Sequence, residues 1–379
     1  MPLYSIARPT RFVTLFSSAF SLSTLRQGAY FVATESIGKT QLHLIMNIRS
    51  ISRRFAILSS VALVTISSAL GAGSPNQFIG HWALTIPGGG AGWLGVTENQ
   101  GKLSANILWG GGSVVPVTKV AMNGDTLLLT RESRSGRRNA AEAVVTTETI
   151  TAKREGDTLK LATVKSRPNQ AEFEKADFTG KRTPPLPSKP DLSKLKFDEP
   201  IKLFNGHDLT GWKLTNLRAA NGWVVKDGVL SNDPVQEQGK NYGNIRTERE
   251  FEDFNLTTDV MVPPRGNSGI YLRGIYEVQV GDTHGRPLDS HNMGAIYSRI
   301  TPTEAAEKPA GEWQTLDITL VDRHATVILN GKKIIDNQPV LGCTGGALWS
   351  DPLRTGPIYL QGDHSGVSYR NLVLRPVVK

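Results

Sequence analysis

The stretch from Asn267 to Asp282 holds the residues whose types and spacing are best suited to chemistry. Read with the period of two that a β-strand imposes, one face would carry Ile270, Leu272, Tyr276, Val278 and Val280, and the other Tyr271, Arg273, Glu277 and Gln279. The first set predicts a core face and the second a polar shelf, with a bend or bulge at Gly274. A cation, a carboxylate and an amide on one side of a sheet could bind sugar hydroxyls or perform acid and base chemistry. An ordinary exposed strand face is the alternative.

The bulk composition limits the number of domains and the kinds of partner. A chain of 379 residues allows two or three domains at the usual ~100 to 200 residues each. Residues 1–72 hold seven Lys or Arg and one Glu, so they contribute +6 of the +9 formal charge and the remainder only +3. Since no basic stripe with interleaved aromatic residues is present, nucleic-acid binding is not expected. Cys343 is the only cysteine, which excludes an intramolecular disulfide and a cysteine-based metal site.

Residues 46–72 have the pattern of a signal peptide. Three arginines precede an apolar run at 55–66 and small residues at 69–72. The run is short for the ~20 helical residues that span a bilayer. We therefore predict export to the periplasm or the cell exterior, with no integral membrane span after cleavage. On this interpretation residues 1–45 are a non-native upstream extension; a long leader or an uncleaved anchor are the alternatives.

Residues 77–182 are predicted to form a small β domain. Its predicted strands are 82–86, 93–96, 103–108, 114–120, 126–130, 148–153 and 158–164. Asn123-Gly124 and Glu155-Gly156-Asp157 are typical hairpin turns, and such a meander closes into an antiparallel barrel or sandwich. The two glycine triplets lack the Lys-Ser/Thr pair of a phosphate loop. The region is interpreted as accessory or ligand-binding, with an exposed basic loop at Arg131, Arg134, Arg137 and Arg138.

A proline-rich segment at residues 183–200 predicts a stiff linker to a second domain at 201–379. Besides the stretch described first, strands are predicted at 223–230, 244–247, 254–261, 295–298, 313–321, 324–329, 333–336, 357–361 and 367–377. Asn330-Gly331 is a two-residue hairpin turn, and only Thr303–Glu307 indicates a helical turn. So many antiparallel strands predict an all-β jelly-roll sandwich, a fold that often holds ligands on its concave face.

Short motifs follow one another from Leu203 to the end of the chain. After LFNGHDLTGW come WVVKDGVL, NSGIYLR, YEVQV, GAIY, GEW, LNG and GPIYLQGDHSGVSYRNL. Together they resemble the 3-keto-disaccharide hydrolase domain family over residues 200–377. The resemblance implies a concanavalin A-like lectin/glucanase fold, export, and cleavage of glycosides whose sugar has a ketone at carbon 3. The last motif departs from the family pattern, since Gly362 and Ser365 are extra residues around Asp363 and His364.

A ketone at carbon 3 acidifies the hydrogen on carbon 2. A base can remove this hydrogen, the glycosidic oxygen can leave from carbon 1, and water can then add to the enone. For this route the resemblance leads us to expect Glu277 as base, Arg273 as the clamp on the enolate, and His364 as acid or second base. Residues expected to bind the carbohydrate substrate are Gln279, Tyr297, Asn267, Tyr271, Asp363, Gln361 and Trp349.

Three alternatives stay open at this point. Direct hydrolysis would pair Glu277 with a carboxylate at ~5 to 5.5 Å or ~6.5 to 9.5 Å, with the candidates Asp259, Asp282 and Asp363. A divalent metal could polarise the ketone, although no cofactor is assigned and the nearest candidate ligands match no known spacing: Asp282, His284, Asp289 and His291. The chain could instead be a non-catalytic carbohydrate-binding module, which would tolerate loss of Glu277, or an adhesion domain, which would have a flat polar surface with no cleft.

Overall fold

The computed structural model describes residues 75–109, 111–135, 144–232, 240 and 242–378. The predicted signal peptide at 46–72 and the upstream extension at 1–45 lie outside these residues. The only helices in the described part are two short 3₁₀ turns, Pro75–Gln77 and Leu192–Lys194. Neither has the length or apolar character that crossing a membrane requires. The fold is therefore all-β, as predicted.

Nine strands at the amino-terminal end form one antiparallel sheet. They are β1 (Gly80–Thr85), β2 (Ala91–Asn99), β3 (Lys102–Trp109), β4 (Val115–Pro116), β5 (Lys119–Asn123), β6 (Thr126–Ser135), β7 (Val144–Glu155), β8 (Thr158–Arg167) and β9 (Gln170–Arg182). The order is β4-β3-β2-β1-β9-β8-β7-β6-β5, so the first strand pairs with the last and the sheet rolls up. Alternate residues such as Trp82, Leu94, Leu129 and Ile150 fill a single interior core. The sequence predicted a small antiparallel barrel or sandwich, and the structure has one rolled antiparallel sheet around a single core. Residues 80–182 are called the barrel below.

The barrel differs from the prediction in its basic segment and in two strands. Arg131 and Arg134 are not in a loop but in β6, because β7 pairs with β6 as far as Arg134↔Val145 and beyond. Arg137 and Arg138 lie outside the described residues. The single strand predicted at 114–120 is split into β4 and β5, and β9 was not predicted.

The remaining strands form two further antiparallel sheets. They are β10 (Ile201–Lys202), β11 (Trp212–Leu214), β12 (Trp223–Lys226), β13 (Val229–Asn232), β14 (Ile245–Thr247), β15 (Phe254–Met261), β16 (Asn267–Leu272), β17 (Tyr276–Gly281), β18 (Gln314–Val321), β19 (His324–Leu329), β20 (Lys332–Pro339), β21 (Tyr359–Leu360) and β22 (Val367–Pro376). One sheet has the order β12-β13-β22-β15-β18-β19-β20, with β10 added beside β22. The other has the order β11-β14-β21-β16-β17.

The two sheets enclose one apolar core, and this confirms the predicted sandwich. Ile270 and Val278 from the five-stranded sheet belong to the same buried cluster as Leu256 and Ile318 from the larger sheet. Because neighbouring residues in a strand point to opposite sides, the other face of the five-stranded sheet does not contribute to this core. That face carries polar side chains instead.

Some predicted elements of this part are absent or shorter. Thr303–Glu307 forms no helical turn, and residues 295–298 contribute only an isolated bridge, Val278↔Ile296, to the edge of β17. The strand predicted at 223–230 turns at Asp227-Gly228, where both residues have positive φ, and so gives β12 and β13.

The proline-rich segment is bound to the sandwich along its length. Arg323 donates hydrogen bonds to the carbonyls of Pro184 and Pro185, and Asn337 Nδ2 donates to the carbonyl of Pro190 at 2.8 Å. Phe197 forms an isolated bridge with Val377. Proline has no backbone N–H, so the neighbouring side chains bind this segment through its backbone carbonyls.

Candidate active site

The stretch Asn267–Asp282 is a hairpin of two strands rather than one bent strand. β16 and β17 pair antiparallel with Tyr271 opposite Glu277 and Gly269 opposite Gln279. The two-residue alternation predicted from the sequence therefore holds within each strand and brings Tyr271, Glu277 and Gln279 to one face. The pairing of β16 with β21 adds Tyr359 to this face, opposite Tyr271. The same face is called the polar face below.

Glu277 is the most deeply placed carboxyl group of the polar face. Its residue is 4 % exposed, and its Oε2 lies 2.8 Å from the hydroxyl of Tyr271. Burial raises the pKa of Glu277 to about 8 and the charge of Asp363 adds to the rise, against opposing effects of the Tyr271 hydrogen bond and the His364 charge. A pKa near the working pH suits a group that gives and takes protons.

The hydroxyl of Tyr271 is shared between two acceptors. It lies 2.8 Å from Glu277 Oε2 and 2.5 Å from the carbonyl oxygen of Gly345, and it is the donor to both. A phenol has one hydrogen, and a carbonyl can only accept. A hydrogen divided between Gly345 and Glu277 stabilises a charge on Glu277 less than an undivided bond would, which agrees with the raised pKa of this carboxyl group.

Three amide and carboxyl side chains gather around Gly269. A Cβ atom at this glycine would lie 2.8 Å from Cγ of Glu277 and closer still to its Oε1, so only glycine leaves room for the carboxyl group. Gln279 lies opposite Gly269 on β17, and the N–H of Gln361 donates to the Gly269 carbonyl at 3.0 Å on the other side. The Oε1 atoms of Gln279 and Gln361 are buried and accept no hydrogen bond within the described part of the chain. They are acceptors suited to the hydroxyl groups of a sugar.

Asp363 and His364 form an ion pair at the edge of the polar face. His364 Nδ1 lies 2.6 Å from Asp363 Oδ1. This hydrogen bond raises the pKa of His364. Burial acts to raise the pKa of Asp363, but His364, Asn244 and the backbone together outweigh it, so the pKa of Asp363 is lowered. The charges of this pair also act on Glu277. The three ionisable groups are therefore electrostatically coupled.

The two extra residues of the last motif are held firmly. Asn244 Oδ1 accepts the N–H groups of Gly362 at 2.7 Å and Asp363 at 3.1 Å, and Asn232 Nδ2 donates to the carbonyl of Gly362 at 2.9 Å. Ser365 exchanges two hydrogen bonds with the backbone of Asn267. The longer loop consequently keeps Asp363 and His364 beside the polar face.

Two stacked tyrosines connect Glu277 with the Asp363 region. The rings of Tyr271 and Tyr359 lie 4.1 Å apart and nearly parallel, at 10°. Asn244 Nδ2 donates to the Tyr359 hydroxyl at 3.0 Å and lies 3.3 Å from Asp363 Oδ2. Beyond Asp363, a cavity of about 380 Å³ is lined by Thr215, Asn216, Ala219, Lys240, Tyr242, Gly243 and Asn244. A small polar ligand could extend from the tyrosines into this cavity.

Arg273 is not on the polar face, which corrects the prediction that it clamps a substrate. It occupies the turn between β16 and β17 with φ of 56°, and the turn takes it out of the alternation. Arg273 is 3 % exposed, and its guanidinium donates to the backbone carbonyls of Pro352 and Arg354. It anchors the segment around residue 353 to the hairpin turn.

Trp349 has another side chain stacked on its ring, which argues against its predicted role in substrate binding. The guanidinium of Arg354 lies 3.8 Å above its ring, and Gly356 packs against its edge. An arginine already stacked on the ring occupies the surface that a sugar would use. Trp349 therefore belongs with Arg273 in a structural cluster at the hairpin turn.

Tyr297 and Asn267 do lie next to the polar face. The N–H of Tyr297 donates to the carbonyl of Glu277 at 3.0 Å, which sets residues 294–297 alongside β17. Asn267 Oδ1 accepts from Gln279 Nε2 at 2.8 Å and so orients that amide. Their predicted role in binding the substrate stays a prediction.

The possible metal ligands named from the sequence are dispersed. His291 Nδ1 lies 3.4 Å from Asp289 Oδ1, whereas Asp282 accepts the N–H of Arg265 at 2.7 Å. No group of three or more His, Cys, Asp or Glu residues in the described ranges is arranged to hold a metal ion.

Three contributors to the site were not predicted. Asn244 and Tyr359 were assigned only to strands, and the carbonyl of Gly345 lies far along the chain. Gly269 is a further residue that the sequence analysis did not name, although a glycine within a strand often marks a place where another group packs closely against the backbone. Tyr359 and Asn244 carry no such signal, because only the strand order places them beside Tyr271.

Comparison with known families agrees with the motifs. Residues 199–375 match the family model described as 3-keto-alpha-glucoside-1,2-lyase-like domain. This confirms the resemblance inferred from the sequence. A search of curated proteins finds no match.

Three solved structures illustrate the similarity. A candidate glycosyl hydrolase from Parabacteroides distasonis ATCC 8503 is 33 % identical, with 47 % of this chain and 83 % of that chain covered and a TM-score of 0.39. A second from the same organism is 24 % identical, with 47 % and 94 % covered and a TM-score of 0.38. SCLam, a non-specific endo-β-1,3(4)-glucanase from family GH16, is 12 % identical, with 52 % and 94 % covered and a TM-score of 0.32.

Proposed function

Through residues 199–375 the chain belongs to the 3-keto-alpha-glucoside-1,2-lyase-like domain family, and we propose that it cleaves glycosides whose sugar carries a ketone at carbon 3. The family and the similarity to candidate glycosyl hydrolases support a carbohydrate-active protein. The single observation that carries the proposal is the buried Glu277 carboxyl group, bound to Tyr271 and coupled to the Asp363–His364 pair. Export of the protein, predicted from residues 46–72, remains part of this proposal.

The first chemical step is removal of the hydrogen on carbon 2. We assign this step to His364 in its neutral form, because Asp363 at 2.6 Å stabilises the imidazolium that results. The developing charge resides on the oxygen at carbon 3. The Tyr359 hydroxyl accepts a hydrogen bond from Asn244, so its own hydrogen is suited to bind the oxygen at carbon 3. Tyr359 thus takes the role that the sequence analysis gave to Arg273.

The second chemical step is departure of the glycosidic oxygen from carbon 1. Glu277 donates its proton to this oxygen, since its pKa of about 8 keeps it protonated at neutral pH. The assignment exchanges the roles expected from the sequence, in which Glu277 was the base. The reason is burial, which raises the pKa of Glu277, while the single hydrogen of Tyr271 is shared with Gly345 and compensates a charge on Glu277 only in part.

Addition of water to the resulting enone completes net hydrolysis. The ionised Glu277 takes a proton from water, the hydroxide adds at carbon 1, and the His364 imidazolium returns a proton to carbon 2. Each group ends in its starting form, so the cycle can repeat. The cavity beside Asp363 would hold the leaving group, and the Oε1 atoms of Gln279 and Gln361 would accept from sugar hydroxyls.

The test uses the full chain with a 3-keto-glucoside in deuterated water. We expect release of the aglycone and deuterium at carbon 2, and loss of both in His364→Asn. Glu277→Gln should release a methyl aglycone poorly but 4-nitrophenol well, because nitrophenolate leaves without a proton. His364→Asn should fail with both aglycones, so it is the matched control.

Three outcomes would contradict the proposal. Release without deuterium at carbon 2 indicates direct hydrolysis. Binding of the 3-keto-glucoside with neither release nor exchange indicates a carbohydrate-binding module. Equal loss of both aglycones in Glu277→Gln restores Glu277 to the role of base.

A further inference from the structure

One short loop lies between the barrel and the acid and base residues. The loop comprises residues 341–346 and is called the bridging loop below. Its Gly345 carbonyl lies 2.5 Å from the Tyr271 hydroxyl, and its Thr344 Oγ1 accepts the N–H of Glu277 at 2.9 Å. A Cβ atom on Gly346 would collide with the Tyr271 hydroxyl. The loop thus packs directly against the Tyr271–Glu277 pair.

The other side of the bridging loop is covered by the barrel. Trp93 Nε1 donates to the carbonyl of Leu341 at 3.0 Å, and a Cβ atom on Gly342 would lie 2.7 Å from Cγ of Trp93. Gly345 packs equally closely on Gly112, since a Cβ atom on Gly345 would lie 2.7 Å from the backbone nitrogen of Gly112. The loop is therefore confined between backbone and indole ring on one side and the polar face on the other.

Trp93 is held by residues from both parts of the chain. Its residue is 5 % exposed and belongs to the core cluster of the sandwich although it lies on β2. The guanidinium of Arg299 lies 4.4 Å above the indole ring, and its Nε donates to the carbonyl of Cys343 at 2.8 Å. Trp93 and Arg299 thus bind two carbonyls of the bridging loop, those of Leu341 and Cys343.

A second contact joins the barrel to the other flank of Glu277. Ser113 Oγ and His291 Nε2 are hydrogen bonded at 2.9 Å, and the N–H of Val114 donates to Ser298 Oγ at 2.8 Å. Residues 291–298 run beside β17, where Tyr297 binds the backbone of Glu277. The barrel consequently contacts both segments that pack against this residue.

We infer that the barrel is part of the catalytic unit and that Trp93 is a positioning residue, which holds the bridging loop closed over the Tyr271–Glu277 pair. The inference rests on the proposed function for the meaning of that pair. Closure keeps water away from Glu277 and keeps the Gly345 carbonyl against Tyr271. Both effects favour the acid form that donates to the leaving group.

Removal of the indole ring should open the loop. Trp93→Ala deletes the hydrogen bond to Leu341, the packing on Gly342 and the surface under Arg299. Water then reaches Glu277, and the pKa of its carboxyl group falls from about 8 toward its ordinary value. Trp93→Phe keeps most of the ring surface and loses only the hydrogen bond, so its effect should be smaller.

The experiment titrates Glu277 directly in the full chain with ¹³C-labelled glutamate, using Glu277→Gln to identify the signal. The other titratable groups near Glu277 in the described part of the chain are Tyr271 and Tyr359 from its own sheet, Tyr369 from the larger sheet, and Asp363 and His364 from the last loop. The imidazole signals of His364 are followed in parallel so that its titration is separated. Leu129→Ala, a truncation in the barrel core, controls for loss of barrel stability.

We expect the Glu277 midpoint to fall by more than one pH unit in Trp93→Ala, by less in Trp93→Phe, and not at all in Leu129→Ala. With a 3-keto disaccharide, kcat of Trp93→Ala should fall by about 10-fold or more with a smaller change in KM. An unchanged midpoint in folded Trp93→Ala overturns the inference, as does a shift of equal size in Leu129→Ala. Should Trp93→Ala not fold, an unchanged midpoint in Trp93→Phe overturns it.

The titration also separates this inference from the proposed function. If the natural chain cleaves no 3-keto glycoside but the Glu277 midpoint still depends on Trp93, the reaction is wrong and the coupling stands. If cleavage occurs and the midpoint does not depend on Trp93, the reaction stands and the coupling is wrong.

Discussion

Two glutamates, one in the barrel and one on the polar face, are almost equally buried but are satisfied in different ways. Glu148 is 7 % exposed and lies on the inward side of β7 with Ile150. Arg131 binds one of its carboxylate oxygens at 3.0 Å and Thr163 binds the other at 2.7 Å. Glu277 is 4 % exposed and has a phenol, Tyr271, as its side-chain hydrogen-bond partner within the described residues.

The comparison shows how a fold separates a structural carboxylate from a reactive one. A guanidinium at hydrogen-bond distance compensates the desolvation of Glu148. No cation contacts Glu277 in the described part of the chain, so burial favours its neutral form. A buried carboxyl group without a cation can exchange its proton, whereas one with a cation resists exchange.

Replacement of the two glutamates by glutamine should give opposite results, and this is the largest effect expected. Glu277→Gln should lower turnover of a 3-keto disaccharide by about 10²- to 10⁴-fold, because the amide has no proton to donate. Glu148→Gln should leave turnover unchanged and lower the free energy of unfolding by about 1–3 kcal/mol, because the Arg131 charge loses its partner. Steady-state kinetics and urea unfolding measure the two quantities.

The pH dependence of unfolding provides a control for the same pair. The pKa of Glu277 is raised from 4.5 to about 8 on folding, so its stabilising contribution is complete below pH 4.5 and is lost as the pH rises through about 8. Glu277→Gln should remove this loss and be more stable than the natural chain at pH 8. A natural chain whose stability relative to Glu277→Gln is constant between pH 5 and pH 8 would contradict a buried acid form.

A methyl group added at two glycines should sharpen the contrast between the regions. Gly269→Ala places its Cβ against the Glu277 carboxyl group, and the resulting displacement should lower turnover by about 10- to 10²-fold. Gly180→Ala in the barrel places its Cβ 2.7 Å from Cδ2 of Leu84, which should cost about 1–3 kcal/mol of stability and leave turnover unchanged. Equal losses of turnover in both variants would disprove the special role of Gly269.

Removal of the Tyr271 hydroxyl should shift the pH profile of kcat. In the natural chain kcat should fall as the pH rises through about 8, because the acid form of Glu277 disappears. The hydrogen bond from Tyr271 lowers the pKa of Glu277, so Tyr271→Phe should move this falling limb to higher pH and reduce kcat by about 10-fold. A profile that rises through pH 8 would instead identify Glu277 as the base.

The smallest effect on turnover is expected at Arg273, which shares the hairpin with Glu277. Arg273→Met removes hydrogen bonds to the carbonyls of Pro352 and Arg354 and should lower the free energy of unfolding by about 1–3 kcal/mol. Turnover of the folded variant should be unchanged, because the guanidinium does not reach the polar face. Thermal unfolding with kinetics at a temperature where the variant is folded tests both statements.

Much of the fold follows from local patterns that the sequence displays. Strands β15 and β19 have the predicted bounds, since alternating apolar residues and flanking turns define both ends. The alternation also assigned Tyr271, Glu277 and Gln279 to one face correctly. It failed at Arg273 because the chain reverses there, and a hairpin turn interrupts the two-residue period.

The sequence by itself determined the all-β class, the membership of residues 199–375 in their family, and the face on which Glu277 lies. These properties depend on residue types and on spacings of a few positions, which a single chain carries in full. Only the tertiary structure decided that Tyr359, Asn244 and Gly345 complete the site and that Trp93 holds its covering loop. Those contacts join residues up to 248 positions apart, and strand order and packing, rather than local spacing, bring such residues together.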